Sequence, residues 1–310
     1  MTQRRDHLFH LASQQHYSEW RARKLADYPT SLSELMVPVT NLAHLDTTEQ
    51  EALVSVCRRA NFAIFTSGTA AVAKSDLRAF GQKLGLNRLD ANLYADDDGI
   101  TALQVSEVDR KRDYIPYTNR RLNWHTDGYY NSPEQQIKAF MMFCVRDAAE
   151  GGENQLLDHE IAYILLRDAD PRFIEAMMHP QAMTIPANIE QGIEIRPAQT
   201  GPVFYQDIVT GNLHMRYSAR TRNIVWRDDP LTLAAAEFLQ NLWDQEGNPY
   251  IYHYRLMPGQ GIICNNVLHS RTAFQDDPAT GRNRLMYRAR YYDRIAGTDV
   301  SDRERARVSA

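Results

Sequence analysis

Ile137-Lys138-Ala139-Phe140-Met141-Met142-Phe143-Cys144-Val145 decides the fold class of this chain. Ile137, Ala139, Met141, Phe143 and Val145 alternate along one face of a strand, with Lys138 and Phe140 on the other. Downstream the same texture recurs. Tyr250 to Leu256 alternates, Pro258-Gly259-Gln260-Gly261 turns the chain, and Ile262-Ile263-Cys264 follows as a buried strand. Leu285 to Tyr292 closes the series. Thr210-Gly211-Asn212 marks a hairpin between Val203–Tyr205 and Leu213–Tyr217. Upstream, Phe62-Ala63-Ile64-Phe65 is a short buried strand.

Helices read as insertions between these strands. One starts near Thr47, capped by Thr47 or Thr48 with Gln50 or Glu51 as the capping-box partner, and shows Leu53, Val56 and Cys57 to the core. Ser75 to Leu84 is a second, with Leu77, Phe80 and Leu84 at helical spacing. Asp158 caps a third, containing Ile161, Ile164 and Leu165, and Asp229-Pro230 opens a fourth. The expected fold is mainly β with α decoration, a barrel-like or double-sheet core with flanking helices.

A chain of 310 residues, 43% apolar and 24% charged, buries a sizeable core. Residues 1–310 read as one catalytic domain, with 1–45 a partly helical N-terminal extension and 295–310 a polar tail. A net charge of −4 argues against a nucleic-acid or anionic-membrane surface. Cys57, Cys144 and Cys264 are odd in number and widely spaced, which fits a reduced cytoplasm better than a disulfide framework. No leader-like or membrane-length apolar run is apparent.

The chemistry concentrates at Trp124-His125-Thr126-Asp127-Gly128. On an extended backbone His125 and Asp127 point the same way and can grip one metal ion from one side. Gly128-Tyr129-Tyr130 follows, where a tight backbone leaves room for a small molecule. The spacing alone is weak, since His44-Leu45-Asp46 repeats it where Asp46 better serves a helix N-terminus. His159, His179, His214, His253 and His269 compete as third ligand. His253 is the best rival, and His269 is favoured by its place just past a buried strand and Asn265-Asn266. Two histidines and a carboxylate with open positions are the donor set of an Fe(II) oxygenase. Arg284, Arg288 and Arg290 share one face of the last strand, either as a solvated face or as a grip for an anionic co-substrate.

Three segments in this order resemble the taurine dioxygenase (TauD/TfdA) family. They are His125-Thr126-Asp127-Gly128, Asn266-Val267-Leu268-His269-Ser270-Arg271-Thr272-Ala273-Phe274 and Arg284-Leu285-Met286-Tyr287-Arg288. Phe80-Gly81 with Leu84-Gly85, and Gly151-Gly152, also match, so the likeness runs from about Ala60 to Arg294. It implies a double-stranded β-helix (jelly roll, cupin-like) and a dioxygenase using Fe(II), 2-oxoglutarate and O2, releasing succinate and CO2. It further implies His125, Asp127 and His269 as iron ligands and Arg284 on the distal carboxylate of 2-oxoglutarate. Arg288 becomes the second arginine, near the iron, and Asn154 stands where the family has a threonine that bonds the co-substrate. Asp276-Asp277-Pro278-Ala279-Thr280-Gly281 is an added turn that lengthens the His269–Arg284 spacing. With Asp127 intact, the resemblance implies hydroxylation, desaturation or oxidative cleavage, not halogenation. Homo-oligomerisation is the family habit.

Tyr129, Tyr130 and Asn131 are expected to face the pocket, with Arg216 and Tyr217 on a strand that reaches it. These residues suit a small carboxylate- or amine-bearing metabolite; no basic, aromatic-interleaved surface suggests a macromolecule. Two rivals stand beside this reading. A zinc hydrolase would need a general base such as Glu153 or Glu160. A non-catalytic jelly-roll binding protein would keep the shape without turnover.

Overall fold

The computed structural model describes residues 8–90, 99–106, 114–220, 224–245 and 247–301. Ten strands build two core sheets. In chain order they are β1 (Met36–Pro38), β2 (Phe62–Thr66), β3 (Ile100–Leu103), β4 (Leu122–His125), β5 (Ala139–Arg146), β6 (Asn154–Leu157), β7 (Tyr252–Tyr254), β8 (Gln260–Cys264), β9 (Leu268–Arg271) and β10 (Leu285–Tyr291). The larger sheet runs β1-β2-β8-β5-β10-β3 and the smaller β7-β6-β9-β4. Only the β1–β2 pairing in these two sheets is parallel.

Six helices decorate the sheets among the described residues: α1 (Gln14–Ala26), α2 (Thr47–Ala60), α3 (Lys74–Lys83), α4 (His159–Ala169), α5 (Pro171–Met177) and α6 (Pro230–Asp244). Asp46, not Thr47 or Thr48, caps α2. Its carboxylate accepts from the Glu49 amide at 2.8 Å while Glu49 reaches back to the Asp46 amide. A short acid satisfies the free N–H groups and also faces the positive helix end, which a hydroxyl does not.

Strand β5 sits between β8 and β10, so both of its edges are paired, and it is buried from Ala139 to Cys144. On the outer face Phe143 stacks on Phe65 (6.1 Å between ring centroids), and Phe65 packs on Phe80 of α3 at 4.7 Å. On the inner face Phe140 meets His269 of the smaller sheet, with ring centroids 4.5 Å apart. The space between the sheets is therefore where the candidate ligands lie. Behind β4, Trp124 stacks on Trp243 of α6 at 5.8 Å.

The ends of the chain differ from the expectation. Residues 1–45 contain α1 but also β1, which extends the larger sheet beside β2. The start of the 295–310 segment is not a free polar tail. Ile295 and Thr298 are buried, and Asp299 accepts from Asn212 at 2.6 Å. Residues 302–310 lie outside the described residues. Beyond the expected elements are α5, capped by Asp170 with Pro171 in its first turn, and the hairpin Asn188–Glu190/Ile193–Arg196. No helix among the described residues is long and apolar enough to cross a membrane.

Candidate metal centre

The site is built on antiparallel pairing of β4 and β9, in which His125 and His269 are direct partners. Cross-strand partners point to the same face, and the two imidazole centroids are 4.2 Å apart. Ligand atoms of His125, Asp127 and His269 all lie within 4.8 Å of one another, and all three residues are buried. The His125 Nδ1 bonds the Asn123 carbonyl at 2.8 Å and the His269 Nδ1 bonds the Val267 carbonyl at 2.9 Å. Each Nδ1 must donate there, so each Nε2 keeps its lone pair for a metal.

Asp127 departs from the simple alternation argument. Strand β4 stops at His125, and Asp127 opens the following turn. Its position is set by Asn266, which has a left-handed backbone (φ 51°). The Asn266 carbonyl oxygen accepts from the Asp127 amide at 2.8 Å, and its amide donates to the Asp127 carbonyl at 2.9 Å and the Ile137 carbonyl at 2.7 Å. Asn266 is thus a positioning residue whose role the sequence did not reveal, although asparagine is one of the few side chains that tolerates this conformation. Gly128 (φ 66°) leaves no room for a ligand. An added Cβ would meet Ile137 Cγ1 at 2.4 Å, so protein already fills that space.

The electrostatics favour a bound cation. Burial alone would push the Asp127 carboxyl up. Arg288 at 3.8 Å, the His125 contact, Arg290 and His269 instead hold it well below the usual carboxylate range. Burial and the neighbouring His125 bring His269 down to about 3, which keeps it neutral. Asp127 Oδ2 is buried with no hydrogen-bond partner. Two imidazoles held by their Nδ1 atoms and an ionised carboxylate with an unused oxygen suit Fe(II).

The arginine strand is not a solvated face. Arg284, Arg288 and Arg290 are each less than 10% exposed. Arg290 pairs with Asp90 and donates to the Tyr130 hydroxyl at 3.1 Å. Arg284 has no carboxylate partner among the described residues, and burial lowers it to about 10. The guanidinium groups of Arg284 (5.1 Å) and Arg271 (4.8 Å) both lie against the Phe274 ring. Asn154 borders the same small cavity as Arg284 and has one amide hydrogen committed to the Tyr254 carbonyl at 3.3 Å.

The expected substrate residues divide. Tyr129 meets His125 edge-on at 6.4 Å and Tyr130 at 5.1 Å. Asn131 spends its amide on the Gln135 carbonyl at 2.8 Å. Arg216 is neither surface nor pocket wall. It is buried and donates to the carbonyls of Pro202, Tyr129, Gln199, Met183 and Gly201. Tyr217 is core, packed on Trp243 at 5.0 Å. Of the rival ligands, His253 is exposed and faces Glu153 at 3.8 Å, and His214 packs at a tilt against Tyr205 at 4.8 Å.

A model of the taurine catabolism dioxygenase TauD, TfdA family matches residues 24–290. The chain belongs to this family. Among curated proteins it is similar to a uridine-5'-phosphate dioxygenase of Amycolatopsis sp, 32% identical over 174 residues, covering 54% of this chain and 60% of that protein. A uridine-5'-phosphate dioxygenase of Streptomyces sp is 27% identical over 205 residues, 64% of this chain and 71% of its own length. Among solved structures, asparagine oxygenase with Fe(II), 3-hydroxyasparagine and succinate has a TM-score of 0.56 at 15% identity, covering 83% of this chain and 93% of that chain. OrfP with Fe and alpha-ketoglutaric acid has a TM-score of 0.59 at 16% identity, covering 81% of each chain. The shared fold of these TauD-like structures is a double-stranded β-helix, as the family resemblance implied.

Proposed function

We propose that this TauD/TfdA-family chain is an Fe(II)- and 2-oxoglutarate-dependent dioxygenase that hydroxylates an unactivated carbon of a small, charged metabolite. The observation that carries the reading is the convergence of ligand atoms of His125, Asp127 and His269 within 4.8 Å of one another, with one Asp127 carboxylate oxygen, Oδ2, left without a hydrogen-bond partner. His125, Asp127 and His269 would hold Fe(II), which when bound supplies the activation of dioxygen that no side chain offers. Arg284 is the partner for the distal carboxylate of 2-oxoglutarate. Its buried guanidinium, with no carboxylate bonded to it among the described residues, suits a bidentate grip. Asn154 retains a second N–H for the same molecule. Arg288 keeps Asp127 ionised and faces the space left for co-substrate or substrate. Phe140 and the sheet walls keep bulk water from the centre.

The carboxylate- or amine-bearing metabolite expected from the pocket remains the substrate reading. The names of the two curated relatives add a phosphate-bearing nucleotide to that class. A cytoplasmic location suits three buried, unbridged cysteines. Neither carboxylate expected to serve as base in the zinc-hydrolase alternative is free for that role. Glu153 faces His253 on the exposed side, and Glu160 is buried against Lys24 at 2.8 Å.

Anaerobic addition of Fe(II) and 2-oxoglutarate should give a charge-transfer absorption that zinc does not. His269→Ala should abolish it and His253→Ala should leave it. A His253→Ala variant that loses the band while His269→Ala keeps it would overturn the ligand set. Metal binding with no succinate release on a broad metabolite screen would favour the non-catalytic alternative.

A further inference from the structure

Beyond the metal centre, Tyr129 and Tyr130 form an aromatic wall leading outward from His125. Arg196 stands at its far end, with its guanidinium 5.7 Å from the Tyr130 ring centroid. It closes the hairpin Asn188–Glu190/Ile193–Arg196, whose two strands, among the described residues, pair only with each other and leave Ile189 and Ile193 more than 60% exposed. The guanidinium donates to the Pro197 and Pro186 carbonyls at 2.8 and 2.7 Å and has no carboxylate partner among the described residues. Those bonds consume one N–H on each terminal nitrogen, and the rest of the fork remains available. The hairpin's root is not loose. Arg216 bonds Gln199 and Gly201 on one side and Tyr129 on the other, tying the arm that carries Arg196 to the arm that carries the tyrosines. Arg290 differs, because Asp90 already neutralises it.

Resting on the dioxygenase reading, we propose that Arg196 is a specificity-determining residue that binds an anionic group of the substrate, a phosphate or a carboxylate, at the end of the pocket away from the metal. Partial burial lowers the Arg196 guanidinium below its ordinary value, so an arriving anion relieves a charge that the fold leaves unpaired.

Calorimetric titration of the anaerobic Fe(II)- and 2-oxoglutarate-loaded protein tests this with two matched pairs, uridine 5'-phosphate against uridine and L-arginine against L-argininamide. Each pair differs at the anion alone, so the pair that responds tells phosphate from carboxylate. In one pair the anionic member should bind about tenfold tighter or more. The gap should close in Arg196→Met and reopen in part in Arg196→Lys, while the Fe(II)/2-oxoglutarate absorption is unchanged in both variants. A gap that persists in Arg196→Met, or a wild type without anion preference in either pair, overturns the proposal. Loss of the absorption in the wild type would instead sink the dioxygenase reading.

Discussion

Replacing Arg284 with methionine should make the ligand-free protein more stable and deaf to its co-substrate. The guanidinium is 4% exposed, and burial brings it down to about 10. That displacement corresponds to roughly 3 kcal/mol of desolvation. The group is cationic in both the folded and unfolded states at neutral pH. The penalty is therefore fully present there and fades only as pH rises above about 10. Methionine keeps a flexible stem against Phe274 and removes the charge. Unfolding entropy near 2.1 cal/mol/K per residue gives roughly 0.65 kcal/mol/K for this length, so the apo Tm should rise by up to about 5 °C. In the wild type, 2-oxoglutarate at a hundred times its Kd adds about 2.7 kcal/mol, or roughly 4 °C. The variant should gain almost none of this. Scanning calorimetry of the anaerobic Fe(II)-loaded proteins, with and without 2-oxoglutarate, measures both shifts. A variant that melts below the wild type and still gains the full ligand shift would refute the assignment of Arg284.

Lys24→Met should cost about 3–5 kcal/mol, because it strands two carboxylates that Lys24 holds at 2.6 Å (Asp158) and 2.8 Å (Glu160). Burial already raises the Asp158 carboxyl, so the folded variant takes up protons and its deficit should shrink as pH falls; denaturant midpoints across pH check this. Arg216→Met leaves five carbonyls without their donor and should lower stability by about 3 kcal/mol or more, yet any folded fraction should retain the Fe(II)/2-oxoglutarate absorption. If that absorption disappears from demonstrably folded protein, Arg216 belongs to the site after all. Gly128→Ala forces a side chain onto Ile137 at a left-handed backbone, and should cost roughly 2–4 kcal/mol and weaken Fe(II) binding; an intact metal affinity would show that the turn tolerates the shift.

The strands around Ile137–Val145 and Ile262–Cys264 were legible because a buried strand in a sheet reads as an apolar run with turn residues at its ends. His269 was legible from the segment around it, whereas spacing alone did not separate His125-Thr126-Asp127 from His44-Leu45-Asp46. Asp127 reached the site through a turn and Asn266 rather than through alternation, and a periodicity argument carries no information about such a hydrogen bond. The backbone role of Arg216 was hidden for a related reason. A strand-end arginine looks the same in sequence whether it meets a ligand or five backbone carbonyls. The capping of α2 by Asp46 shows the opposite case, in which the correct residue stood in view but the hydroxyl next to it matched the motif.

The direct pairing of His125 with His269 also orders events during folding. The two strands are distant in the chain, so their docking closes a very long loop and belongs to the slow, non-local part of assembly. Until β9 reaches its register on β4, one imidazole of the pair has no counterpart. Metal uptake during refolding would then time the meeting of the two halves of the chain.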